Sequence, residues 1–409
     1  MWCYVDLVLI PFQRAQAAAH GTPRGNLSDL YPRWLGAREL LLHGRDPYGP
    51  DVTREIQVGY YGRALDPSRP GDPKDQQGFA YPLYVAFLLA PTIRLPFEIV
   101  QAGFKWFLIA CTAVSVPLWF RATNQRASAA GLAIWIIVTL GTFPAVQGIK
   151  LQQLTLLVCA LLAWAFAAMA RGNLVLAGFL LAVSTIKPQL VGILCVWLLV
   201  WCFADWRARR RLFRSFMTTL VLLLAASNFI LPGWISRFRV AANDYLRYTG
   251  GGKSLLDVLL TPRAGKVVSI VVLVALAIIC WRLRRAPGNS TEFSNALAMV
   301  MAATLVVIPT YAPYNQLLLL PAAIVLAAHH ASKTGGRVFR VLFWIAAFAV
   351  AWPWITSAML DVALLIYSPA RVQSAWSVPL FSSLVIPLAV LGAMGVVAAS
   401  IARTEPAPP

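Results

Sequence analysis

Asp29 is the carboxylate whose setting could support chemistry. It follows Ser28 and precedes a stretch, Pro32 to His43, in which Trp34, Leu35, Leu40, Leu41 and Leu42 recur at helical spacing. Two roles fit. Ser and Asp are favoured at helix N-termini, where an acid also suits the positive end of the dipole, so Asp29 can be a cap. Held over a membrane cavity, the same carboxylate can instead take a proton from an incoming hydroxyl. Spacing alone favours the cap.

Lys187 lies where an apolar run breaks at Pro188. A charge at membrane depth costs about 2.5–3.5 kcal/mol unless it meets a cavity or a partner. A phosphate would be such a partner; snorkelling to the interface is the alternative. The stretch 232–266 brings Arg237, Arg239, Arg247, Lys253, Arg263 and Lys266 around Gly250-Gly251-Gly252. It reads as a flexible basic lid for a phosphate, or as surface resting on lipid headgroups. Its glycines precede no strand-helix pattern, so they make no phosphate cradle. Tyr31, Gln152, Gln153, Gln189, Tyr311, Asn315 and Gln316 offer amide and phenol groups for hydroxyl-rich ligands. Hydrogen bonds between helices are their alternative use.

The elements that must position these groups are membrane helices. Of 409 residues, 59% are hydrophobic and 12% charged, and the mean hydropathy is +0.67, far from the balance of a soluble chain. Apolar runs near 99–120, 129–147, 154–170, 174–187, 189–204, 213–231, 267–281, 294–309, 316–328, 338–358 and 379–402 are each long enough, or nearly so, for a tilted span. Residues 1–12 read as the end of a first membrane helix, either because the chain starts upstream or because Met1 is not its true start. The expected architecture is therefore an all-α polytopic bundle of about 11–12 transmembrane helices.

Charge orients the bundle. Arg121 and Arg126, Arg171, the stretch Trp206 to Arg214, Arg282 with Arg284 and Arg285, Lys333 with Arg337 and Arg340, and Arg403 fall at every second connection. By the positive-inside rule these connections are cytoplasmic, as is the tail 403–409. The alternation holds if 80–96, bracketed by Pro82, Pro91 and Pro96, is an embedded half-helix or interface helix within the bundle 80–402 and not a full crossing. The opposite face then receives the loop 13–79, with interface helices, and the loops 232–266 and 359–378. The net charge of +19 is spread between spans and not gathered with aromatics, which argues against nucleic acid and for membrane lipids as anionic partners. The six Cys read as core hydrophobes, and no Cys/His spacing suits zinc. His329 and His330 fall on the cytoplasmic side and receive no role.

Asp29-Leu30-Tyr31, Ala37-Arg38-Glu39-Leu40-Leu41, Gly44, Pro47-Tyr48 and Phe79-Ala80-Tyr81-Pro82 resemble the first loop of glycosyltransferase family 87 (DUF2029). These are polyprenol-phosphate-mannose-dependent mannosyltransferases of the GT-C superfamily. Gln152-Gln153-Leu154, Ala177-Gly178, Ile186-Lys187-Pro188-Gln189 and Pro309 to Leu320 extend the likeness in order through most of the chain. The resemblance implies a GT-C-like fold in the cell membrane. It also implies inverting transfer of a hexose, mannose by likeness, from a polyprenyl-phosphate co-substrate to an extracytoplasmic lipid or glycan acceptor. It makes Asp29 the catalytic base, reversing the preference from spacing. Lys187, Arg237, Arg239 and Lys253 are then expected at the donor phosphate, and Tyr31, Gln152, Gln153, Gln189, Tyr311, Asn315 and Gln316 at the sugar or acceptor, with no metal ligand and no cofactor. The absence of a DxD motif and of Walker and Rossmann patterns agrees with a lipid-linked donor. The chain departs from the family pattern at Leu83, where a second Pro is usual, and at Tyr314-Asn315-Gln316, where a His is frequent. The competing function is a polytopic lipid or solute transporter or flippase, against which the missing internal repeat argues.

Overall fold

The computed structural model describes residues 1–409 except 23–27, 67, 249–251, 310–311, 334–335 and 405–409, and the side chains of 400–404. The described residues form helices and no strand. All eleven apolar runs are helical along most of their length. By length and apolarity, Phe97–Ala122, Trp206–Ile230, Pro262–Arg282, Arg337–Ala363 and Pro369–Ala399 can each cross a membrane, and the pair Ala129–Gly141 and Phe143–Lys150, bent by 59°, makes a sixth. The chain is a multi-pass α-helical membrane protein.

Four further apolar helices fall below the length of those five or six. Leu154–Ala170, Leu174–Ser184, Pro188–Ala204 and Thr291–Val307 are apolar but only 11 to 17 residues long. Seventeen residues rise about 25 Å, short of about 30 Å of hydrocarbon. Leu154–Ala170 and Thr291–Val307 are buried along most of their length and form the centre of the core. Non-helical backbone at 151–153, 185–187 and 308–309 continues all four helices at one end. Irregular backbone of this kind is tolerated at membrane depth where protein or a cavity surrounds it.

Segment 80–96 is not a crossing. It holds a five-residue helix, Val85–Leu89, and the 3-10 turn Ala90–Thr92. The Trp34 indole donates to the Thr92 carbonyl at 3.2 Å, which ties this turn to the helix Tyr31–His43. That helix differs from the expected interface helix: Pro32, Arg33, Trp34, Gly36, Ala37, Glu39 and Leu40 are all buried in protein. Gly36 is needed for close approach, because a Cβ there would lie 2.4 Å from the Phe79 ring.

The basic connections at 121–126, 206–214 and 282–285 gather at one end of the bundle. Arg209 donates to the carbonyls of Trp201 (2.6 Å), Arg284 (2.7 Å), Arg285 (3.0 Å) and Ala286 (3.0 Å), with its guanidinium 3.7 Å over the Trp201 ring. The Asn124 amide reaches the Asn289 carbonyl at the same end. The segments bearing Asp29 and Lys187 meet at the other end.

Candidate functional site

Asp29 does not cap the helix that follows it. The Ser28 hydroxyl accepts from the Leu30 amide at 3.2 Å, while the Asp29 carboxylate accepts from the Gln153 side-chain amide and from the Tyr60 hydroxyl, the latter at a long 3.5 Å. Its backbone amide donates to the Leu151 carbonyl at 3.0 Å. The acids around it are mostly spent on cations: Glu39 and Glu55 on Arg45, Asp72 on Arg63, Asp46 on Arg237. Both donors to the Asp29 carboxylate, Gln153 and Tyr60, are neutral side chains. Burial, reinforced by the nearby Asp29 charge, raises the Tyr60 phenol far above its usual range, so Tyr60 donates as a neutral group. Asp75 receives both Gln77 amides at 2.9 Å, and burial pushes it up, with Asp29 adding to that push against the Gln77 amide.

Gln153 connects this carboxylate to a cation. Its amide nitrogen serves Asp29, and its amide oxygen accepts from Lys187 Nζ at 2.9 Å. Lys187 also donates to Thr155 Oγ1 at 2.7 Å, and Thr155 donates to Asn315 Oδ1 at 2.9 Å. Local backbone explains the aim of both residues. Lys187 precedes Pro188, which disfavours helical geometry, and its φ of −122° breaks the chain between two helices. Gln152 sits at a φ of +48°, a strained value for a non-glycine residue, held by its side-chain bond to the Ile149 carbonyl at 2.8 Å. That turn sends Gln153 inward.

Lys187 is 4% exposed and Arg33 7% exposed, and both line a cavity of about 220 Å3 with Tyr81, Gln153, Gln189, Tyr245, Tyr314 and Asn315. No acid lines it. Arg33 donates to the Asp29 backbone carbonyl, lies 4.6 Å over the Tyr81 ring, and leaves its buried Nε without a partner. Lys187 Nζ lies 5.2 Å from the Tyr314 ring. Two buried cations among aromatic rings and amides need an anion to balance them. Phe238, Ala242, Tyr245 and Leu246 of the helix Trp234–Tyr248 cover the cavity.

An apolar groove of about 660 Å3 between Pro188–Ala204, Pro262–Arg282 and Thr291–Val307 adjoins the cavity. Pro188, Gln189 and Pro309 line both spaces, and Gly192, Val196, Leu276 and Val300 are among the groove walls.

Of the residues singled out by sequence, Asp29, Lys187, Gln153, Gln189 and Asn315 come together here. The others do not. Arg237 is ion-paired with Asp46 at 2.6 Å, and Arg239 and Lys253 are exposed; none of the three lines the cavity, because Trp234–Tyr248 turns its apolar face and Tyr245 inward. Lys187 does not snorkel. Gln152 is used by Ile149 and by Gln101, Gln316 donates to the Ser383 carbonyl at 2.6 Å, and the Tyr31 ring packs edge-on to Phe97 at 4.8 Å, so these three serve packing. Tyr311 lies outside the described residues. Sequence reasoning missed Arg33. Its signal was a cation in register with Ala37 and Leu40, on the buried stripe of its helix.

A buried cation pair next to a carboxylate, at one end of a multi-pass helical bundle, is equipment suited to group transfer in a membrane. The chain belongs to glycosyltransferase family 87, whose model matches residues 79–309. The match includes Tyr81, Gln153, Lys187, Gln189 and Tyr245, whereas Asp29 and Arg33 precede it and Asn315 follows it. No curated protein matches the chain. Family membership makes it a membrane glycosyltransferase and displaces the transporter alternative.

Proposed function

We propose that the protein transfers a hexose from a polyprenyl-phosphate donor to an extracytoplasmic lipid or glycan acceptor, with inversion; mannose is the sugar the family resemblance implies. The donor phosphate lies between Arg33 and Lys187, its polyprenyl chain follows the apolar groove, and Gln153, Gln189 and Asn315 meet the sugar hydroxyls. Asp29 takes the proton of the acceptor hydroxyl while that oxygen bonds to the anomeric carbon. The bond from that carbon to the phosphate oxygen breaks, its electron pair leaves with the phosphate, and the two cations meet the growing charge. The alternation of basic connections supports an active end facing away from the cytoplasm in the cell membrane.

The observation that carries this reading is a two-cation cavity that shares a wall with an apolar groove. A phosphate on an isoprenoid chain uses both; a nucleotide sugar uses only the first. Purified protein in liposomes is therefore expected to consume decaprenyl-phosphate mannose and to leave GDP-mannose untouched. Turnover of GDP-mannose in the absence of any polyprenyl phosphate would reject a lipid-linked donor.

A further inference from the structure

A second cavity, of about 200 Å3, lies on the other flank of the strip that carries Gln153. It is lined by Gln13 and Arg14 from the helix Ile10–Ala19, Gln101 from Phe97–Ala122, and Gln147, Lys150 and Leu151 at the end of Phe143–Lys150, with Val5, Leu9 and Ile10 as its apolar wall. It shares no lining residue with the cation cavity. Phe143–Lys150 packs on one side against the turn Pro313–Leu319, which belongs to the cation cavity, and on the other against Phe97–Ala122 and the N-terminal helix.

Asp29 stands at this partition. Its backbone is bound to Leu151, which lines the second cavity, its carboxylate is bound to Gln153, which lines the first, and it lies between the two without lining either. Displacement with inversion brings the acceptor to the anomeric carbon from the side opposite the departing phosphate. The base must then serve the flank away from Arg33 and Lys187. On that flank the Gln147 Oε1 atom is buried and has no hydrogen-bond partner, so a ligand donor would relieve its cost.

We infer that this second cavity is the acceptor subsite, and that it takes a hydroxyl-rich head, glycosyl or polyol, attached to an apolar anchor. The inference rests on the transferase reading above. Gln147 accepts one head-group hydroxyl, Gln13 and Gln101 supply further amide contacts, and Val5, Leu9 and Ile10 receive the start of the anchor.

The test uses decaprenyl-phosphate mannose with n-octyl mannoside as acceptor, and follows transfer and donor hydrolysis by water in one assay. Gln147→Leu is expected to raise the KM for octyl mannoside about tenfold, the loss of roughly one hydrogen bond, with the donor KM and the hydrolysis rate unchanged. Gln147→Glu retains an acceptor oxygen and keeps the KM within about threefold of wild type, a loss under one net hydrogen bond. An unchanged KM in Gln147→Leu, or a parallel rise in the donor KM, overturns the subsite and leaves the transferase reading standing. Wild-type protein that neither transfers nor hydrolyses the donor overturns both.

Discussion

Asp29→Asn is expected to leave donor binding intact and to cut hexosyl transfer by about 10²- to 10⁴-fold, the usual share of a general base. The geometry makes this variant a clean one. The single Asn side-chain oxygen can still accept from the Gln153 amide, while its NH2 then faces the Tyr60 hydroxyl, which can accept in place of donating across the long 3.5 Å contact. Its backbone bond to Leu151 is untouched. What disappears is the negative charge that takes the acceptor proton. A radiolabelled transfer assay beside an equilibrium binding measurement separates the two effects. Activity within a few-fold of wild type would remove Asp29 from the chemistry.

Arg33→Met and Lys187→Met should each weaken binding of decaprenyl phosphate. A hydrogen bond to a charged group is worth about 1.5–3 kcal/mol, so each loss corresponds to roughly 10- to 150-fold in Kd. Methionine fills much of the volume of either side chain, and removing one of two buried like charges lowers the cost of the empty cavity. The unliganded variants should therefore be at least as thermostable as wild type. That combination, weaker binding with no loss of stability, distinguishes ligand cations from structural ones. By contrast Arg237→Met, which breaks an exposed pair with Asp46, should leave Kd within about twofold, as expected for a surface ion pair.

Much of this arrangement was legible in the sequence because it rests on hydropathy and charge. The apolar runs became helices, the proline-bracketed segment 80–96 became a short helix and a turn, and the basic connections at 206–214 and 282–285 met at Arg209. Lys187 was visible because a lysine next to a proline in an apolar run needs a reason. Asp29 was visible only as a choice between cap and base, and its bonds to Gln153 and Tyr60 exclude the cap.

The rest depended on packing that no local pattern encodes. Gln152 and Gln153 are adjacent and chemically identical, yet a positive φ at the first turns one toward Gln101 and the other into the cavity. Arg33 was hidden because the apolar stripe of its helix was read as facing lipid, where a cation would have no place. Once that helix is buried in protein, the same stripe faces Tyr81 and the cavity. The basic residues of 232–266 misled in the opposite way. Their charge suggested phosphate contacts, but the helix Trp234–Tyr248 presents aromatic and aliphatic side chains to the cavity and leaves Arg239 exposed.

The most direct measurement is an electron cryomicroscopy map of the protein in lipid nanodiscs with decaprenyl phosphate bound. The expected density has the phosphate between Arg33 and Lys187 and the isoprenoid chain running between Gly192 and Leu276. A phosphate held by Arg239 or Lys253, or a chain lying outside the groove, would contradict the donor site.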